Sequence, residues 1–336
     1  MFLPAAPLPG IPHTSFRSCG GIEASPRDAM DFQMTEAIYQ CGAHLSHQEL
    51  LPQESACPLC TFTGTRRTVI TLQEDPRVDL LACPCGCMSA SRMPQPQVLR
   101  DYYSRYYATF TGQFPAAFQN SDRLARHILR ALDIKAQDNI RILDFGGGVD
   151  APVSRAMARR LIERGTRHVG IALVDYNAFC QRDWGAITVD CYQELEEARA
   201  EFDAIVASAI VEHIPYPQAV LRTLVRSLRP GGAAYFRTPS MSSILKLGSR
   251  LGMHIDFTYP AHVHDMGQAF WDNLHLSMGS DCDWRLTRSR PAIVEADFRR
   301  HPVNAAVAFL FKLPWYALRS HYTMVGGWEA IIARGT

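Results

Sequence analysis

Beyond Asp138 the chain alternates between two hydrophobic rhythms. Ile140–Phe145, His168–Val174, Gly185–Val189, Asp203–Ser208 and Ala233–Thr238 are short, nearly unbroken apolar runs and read as strands. Ala151–Arg164 and Tyr216–Leu228 carry a helical period. Strands without inside–outside alternation are buried on both faces, which predicts an α/β fold with a parallel sheet between helices. Right-handed crossovers make such a sheet doubly wound, with its ligand at the carboxyl ends of the strands. Ahead of it, Gln97–Tyr107 predicts a helix whose Tyr102, Tyr103, Tyr106 and Tyr107 pack between modules or wall the pocket. Ser121 is the expected cap of a helix through Ala131 that shows Leu124, Ile128, Leu129 and Leu132 on one face. Residues 1–29 are rich in Pro, Gly and Ser, predict no regular structure, and precede Met30 and Met34 as alternative starts.

A length of 336 residues accommodates one large domain and a smaller one. The formal net charge of +1 gives no electrostatic drive toward nucleic acid, so the expected partner is a small molecule. The longest apolar run, Ala305–Leu313, contains Lys312 and ends at Pro314, well short of the roughly 18 residues of a membrane span. The first residues lack the basic region of a secretory signal, so a cytoplasmic protein is expected. Five of the ten cysteines crowd between Cys57 and Cys87, and in a reducing compartment that clustering favours metal over disulfides.

The main chemical signal is Asp144-Phe-Gly146-Gly147-Gly148, directly after the first strand. Glycines there let the backbone turn sharply and approach a ligand. Gly146-x-Gly148-x-x-Ala151 also satisfies the dinucleotide fingerprint, so a nicotinamide-dependent oxidoreductase or epimerase is a rival reading. Asp144 is positioned to face an ammonium, Asp175 at the end of the second strand to accept from ribose hydroxyls, and Asp190 at the end of the third to accept from an adenine amine.

This ordered set resembles the class I S-adenosylmethionine-dependent methyltransferases, with Asp150 departing from a third glycine common there. Phe202–Pro217, including Glu212-His213, is similar to their fourth-strand motif, and Leu228-Arg-Pro-Gly231-Gly232 to their turn into the fifth strand. The resemblance implies a seven-stranded Rossmann-like sheet closed by Asp283–Arg288 and Trp328–Ala333. It also implies S-adenosylmethionine as cofactor, bound by Asp144, Gly146, Gly147, Gly148, Asp175 and Asp190, and methyl transfer to an O, N or C nucleophile on a small molecule or sugar. A zinc-ribbon protein with an inactive or RNA-directed methyltransferase domain is the rival from another class.

Cys57-Pro-Leu-Cys60 is a metal knuckle, and Cys83-Pro-Cys85-Gly86-Cys87 supplies the second half; four sulfur ligands suit zinc. The fourth ligand is either Cys85 or Cys87. With Pro94-Gln-Pro96 and the tyrosine helix, this stretch resembles the zinc-ribbon leader of bacterial methyltransferases acting on sugars and secondary metabolites, which implies a structural zinc. The expected domains are 1–54 as a partly disordered segment, 55–96 as the zinc module and 97–336 as the methyltransferase domain with an insertion at 240–268. Within that insertion, His262-Val-His264-Asp265 is the candidate acceptor-side motif. Histidine suits a general base, since its ordinary pKa of about 6.5 lies near working pH. Glu212-His213, expected to open the helix after strand four, reads as structural, and Trp315 and Trp328 as core.

Overall fold

The computed structural model describes residues 44–109, 120–148, 150–176, 185–198, 200–252, 257–279, 283–294 and 302–335. All belong to one unit, Gln40–Thr336; the segment 1–29 lies outside the described residues.

Two sheets organise this unit. The smaller has the antiparallel order β1-β2-β3-β9, formed by Arg67–Gln73, Val78–Ala82, Met88–Ala90 and His264–Asp265. Its last strand comes from the insertion: Ser89 pairs with His264 and Met88 with Asp265. The larger sheet runs β10-β11-β8-β7-β4-β5-β6. Its strands are β4 (Asn139–Phe145), β5 (His168–Val174), β6 (Ile187–Tyr192), β7 (Phe202–Ser208), β8 (Leu228–Ser240), β10 (Trp284–Pro291) and β11 (Gly326–Arg334). β11 is antiparallel to both neighbours, and β4 through β8 are parallel. This is the expected seven-stranded Rossmann-like sheet.

The chain leaves β4 toward β5 and β6 on one side, then returns to lay β7 and β8 on the other. That reversal makes the carboxyl ends of β4 and β7 the topological switch point, where doubly wound sheets form a crevice. Leu124, Ile128, Met157 and Leu161 of helices Ser121–Ala131 and Pro152–Glu163 cover one face over Ile140 and Ile142. Helix Pro217–Arg226 covers the other, where Leu221, Leu224 and Val225 join Leu143, Ile205 and Phe236. The cysteine module shares that second core: Cys57, Leu59 and Cys85 pack in one cluster with Phe270 and Trp271.

Three local expectations are corrected. Asn120, not Ser121, caps the helix to Ala131, because its side chain accepts from the Arg123 amide at 3.0 Å. Glu212 and His213 lie in a 3₁₀ turn, Val211–His213, and the helix starts only at Pro217. β6 continues to Tyr192, so Asp190 lies inside an edge strand opposite Ala172, exposed, rather than at its end. Trp315 and Trp328 are buried edge-to-face, 5.5 Å apart.

Candidate active site

β4 delivers Asp144 and the glycine turn to the switch point. Gly146 and Gly148 have φ of +75° and +71°, where a β-carbon is strained. Gly147 is required for space: a β-carbon there would lie 2.4 to 2.6 Å from the Asp144 carboxyl group. Asp144 is buried, and its Oδ2 has no hydrogen-bond partner. Burial, aided by the charge of Asp175, pushes its pKa up to about 6. A buried carboxyl with an orphaned oxygen fits a cationic ligand group such as an ammonium. Asp175 directly follows β5 and accepts from the Gly148 amide at 2.9 Å, which ties the strand-end acid to the turn. Gly147→Ala is expected to weaken donor binding roughly tenfold or more, about 1.4 kcal/mol, in calorimetric titration with S-adenosylhomocysteine; unaltered affinity would mean that the Asp144 carboxyl is not confined.

The loop after β7 closes over this turn. A β-carbon on Gly146 would come within 2.5 Å of Ile210, so the two switch-point loops touch. Three residues beyond Ile210 stands His213. Its Nδ1 lies 3.0 Å from the Ala261 carbonyl and 2.8 Å from the Tyr103 hydroxyl. A carbonyl only accepts, so Nδ1 donates to Ala261, and the Ala209 carbonyl is a second backbone partner of this ring; Nε2 is 3.9 Å from Glu212 Oε1. His262 is oriented the same way. Its Nδ1 is 2.5 Å from Thr258 Oγ1 and 3.2 Å from the Phe257 carbonyl, while the Thr258 hydroxyl itself donates to that carbonyl. The two imidazoles are 4.7 Å apart, and a nitrogen of each lies within 4.8 Å of a Glu212 oxygen.

His264 is placed differently. Its Nε2 donates to the carbonyls of Ile214 at 2.9 Å and Pro215 at 3.2 Å, and its Nδ1 accepts from the Ser89 hydroxyl at 2.9 Å. Fully buried, with both nitrogens occupied, it has none to offer an acceptor; the geometry makes it a seam between β3 and the insertion. Asp265 completes the seam by accepting from the amides of Met241 and Ser242, both at 2.8 Å, at the start of helix Ser242–Arg250.

The cysteines gather as two knuckles. Cys57 and Cys85 sulfurs are 3.9 Å apart and those of Cys60 and Cys83 3.5 Å, close to the edge of about 3.8 Å expected for a tetrahedron with 2.3 Å zinc–sulfur bonds. Cys87 stands outside this group, with its sulfur 3.4 Å from the Met88 carbonyl and 3.5 Å from the Ser89 hydroxyl. Gly86, at φ +88°, lets the second knuckle press on the insertion: a β-carbon there would strike the Ala269 and Phe270 backbone at 2.3 to 2.5 Å.

A family model described as a methyltransferase domain matches residues 117–276. The chain carries a class I methyltransferase domain. Over 108 residues it is 28% identical to the ubiquinone biosynthesis O-methyltransferase of Idiomarina loihiensis, covering 29% of this chain and 42% of that protein. The same-named protein of Aeromonas salmonicida is 27% identical over 150 residues, covering 38% and 61%. The chain thus spans about half the length of these curated relatives. The plantazolicin methyltransferase BpumL, solved with S-adenosylhomocysteine and a monoazolic desmethylPZN analog, is 12% identical, covering 64% of this chain and 82% of that one, at a TM-score of 0.40.

The fold brings together two groups that local sequence leaves apart. Glu212-His213 belongs with His262, and Tyr103 reaches His213 from the helix Pro96–Thr109, 110 residues earlier. The aromatic density of that helix was the available signal, but only the fold turns one of its hydroxyls toward a histidine. The side chains of Tyr106 and Tyr107 lie outside the described residues.

Burial sets the protonation states. It lowers the pKa of His262 to about 3 and those of His213 and His264 to about 4, and it raises that of Glu212 to about 8. The histidines stabilise the fold above their unfolded pKa of about 6.5, and this is lost as pH falls, because the unfolded chain binds protons the native one refuses. Glu212 and Asp144 act oppositely: their contribution is present at low pH and lost as pH rises through about 8 and about 6. Thermal midpoints are therefore expected to peak at about pH 6 to 7. His264→Asn should flatten the acid limb; an unchanged acid limb would refute the buried neutral imidazole.

Proposed function

We propose that the chain transfers the methyl group of S-adenosylmethionine to an oxygen or acidic carbon of a small molecule or sugar, with Tyr103, Glu212, His213 and His262 bordering the acceptor. The observation that carries this reading is the contact between Ile210 and Gly146, because it sets proton-handling side chains beside the turn that fits the donor. Bound S-adenosylmethionine supplies a methyl carbon on a sulfonium; the nucleophile's electron pair joins that carbon as the carbon–sulfur pair returns to sulfur.

Asp144 receives the donor's ammonium, Asp175 its ribose hydroxyls, and Gly148 allows close approach. Asp190 would meet the adenine amine from the exposed side of β6. An acceptor hydroxyl turns strongly acidic as its oxygen bonds the methyl carbon, so the Nε2 lone pair of His262 takes the proton even though burial weakens that imidazole as a base. A neutral amine nucleophile needs no base before attack, so the histidine pair favours oxygen or an acidic carbon. The O-methylation in the relatives' name agrees with an oxygen acceptor. Glu212, held protonated by burial, stands beside both imidazoles, within 4.8 Å of a nitrogen of each. Cys57, Cys60, Cys83 and Cys85 would hold one structural zinc, and the module and insertion would form a single cap over the acceptor side.

Calorimetry should give a low-micromolar dissociation constant for S-adenosylmethionine or its demethylated product, about −8 kcal/mol. Labelled-methyl transfer to a panel of phenols and sugars then identifies the acceptor class. Tight NAD binding with no response to the sulfonium compound would overturn the reading.

A further inference from the structure

Helix Pro302–Leu318, between β10 and β11, is turned inside out relative to a helix packed on a globular core. Its inward stripe is Ala305, Ala308, Lys312 and Trp315, at spacings of three and four residues. Its outward surface includes Val303, Phe309, Leu310, Phe311, Leu313 and Leu318, between 46% and 71% exposed. Lys312, its one charged residue, is directed inward and donates to the Ala292 carbonyl at 2.5 Å. Trp315 fixes the helix by donating to Gln268 at 3.2 Å and by packing edge-on against Trp328. Scattered exposed leucines require no explanation, but a contiguous apolar face along about five helical turns marks an interaction surface.

We propose that this helix lies flat on an anionic lipid surface, with its apolar face sunk into the boundary between headgroups and acyl chains. The helix is not long and apolar enough to cross a membrane. Among the described residues the outward face carries no charge, whereas cations stand at its C-terminal end. Arg319 is exposed, with its guanidinium 4.9 Å over the Trp315 ring, and His321 is exposed beside it. Apolar and aromatic residues on the face, with basic residues at its C-terminal end, match the chemistry of a helix lying in the plane of an anionic interface. A second protein would be expected to make about one hydrogen bond per 100–200 Å². Among the described side chains of the outward face, only the Tyr316 hydroxyl offers one. The inference is independent of the methyl-transfer reading, because it rests on a segment outside the site.

Sedimentation of the full chain with phosphatidylglycerol–phosphatidylcholine vesicles tests it. The chain is expected to pellet with these vesicles, several-fold less with phosphatidylcholine alone, and less at high salt. Leu310→Asp combined with Phe311→Asp should lower the bound fraction about tenfold, and Arg319→Glu by a smaller factor. Far-UV circular dichroism and the affinity for S-adenosylhomocysteine should stay unchanged and certify folding. A chain that remains in the supernatant with both vesicle types overturns the proposal. So does vesicle binding that survives the double substitution, or a dimer that the double substitution dissociates while neither protein binds lipid.

Discussion

Cys57→Ser is expected to abolish zinc binding and to lower the thermal midpoint of the whole chain by about 10 °C or more. Cys57 and Cys85 form one long edge of the sulfur group, and a tetrahedral site that loses a thiolate loses much of its affinity. The damage should spread beyond the knuckle, because Cys57 and Leu59 share a core with Phe270 and Trp271, and Gly86 rests on the Ala269 backbone. Cys87→Ser should keep the metal, since that sulfur is engaged with Met88 and Ser89. Elemental analysis beside a thermal melt reads both outcomes. A Cys87→Ser protein without zinc, beside a Cys85→Ser protein that retains it, would reverse the ligand assignment; a metal-free wild-type chain with an unchanged melting temperature would remove the zinc.

His262→Ala is expected to lower turnover by about 10² to 10⁴ while leaving donor affinity within about twofold. The imidazole is half-buried, its proton is fixed on Nδ1 by Thr258 and Phe257, and its ring is 4.7 Å from that of His213. Its lone pair is therefore available to an acceptor proton, and no donor-binding group depends on it. His264→Asn should instead destabilise the chain with a smaller change in turnover per folded molecule, because His264 joins the insertion to β3. Turnover with an accepted substrate, paired with calorimetry on S-adenosylhomocysteine, separates the two roles. If His262→Ala turns over normally, the base lies elsewhere; if donor affinity collapses, His262 belongs to the cofactor wall.

The same physical distinction governs what could be read in advance. The parallel strands of the large sheet are visible as local apolar runs, most fully in the central β4 and β7, which are buried on both faces, whereas the antiparallel β10 and β11 were implied only by the family resemblance. The glycine turn is legible because positive φ and missing space are demands on single residues, and Gly146, Gly147 and Gly148 each meet one. The two cysteine knuckles are legible because chelation from a tight turn fixes short spacings. Asp190 shows the limit of that local reading: pairing with β5 extends β6 to Tyr192, and sheet pairing is a non-local property.

Roles that depend on convergence of distant segments carry no local signature. Cys85 and Cys87 flank one glycine and are equivalent by composition; the direction of the chain at Gly86 turns one sulfur toward Cys57 and the other toward Ser89. His262 and His264 are two residues apart, and in sequence they look alike. Two-residue spacing in extended backbone would put them on one side, but the short strand β9 begins only at His264, so β3 captures that ring while His262 turns to His213. The sequence by itself determined the parallel strands, the glycine turn and the two cysteine knuckles, because each is specified by residues close together along the chain. The tertiary structure decided which cysteine completes the sulfur group, which histidine meets Glu212 and His213, and which tyrosine reaches them, because those choices arise where segments distant in sequence meet.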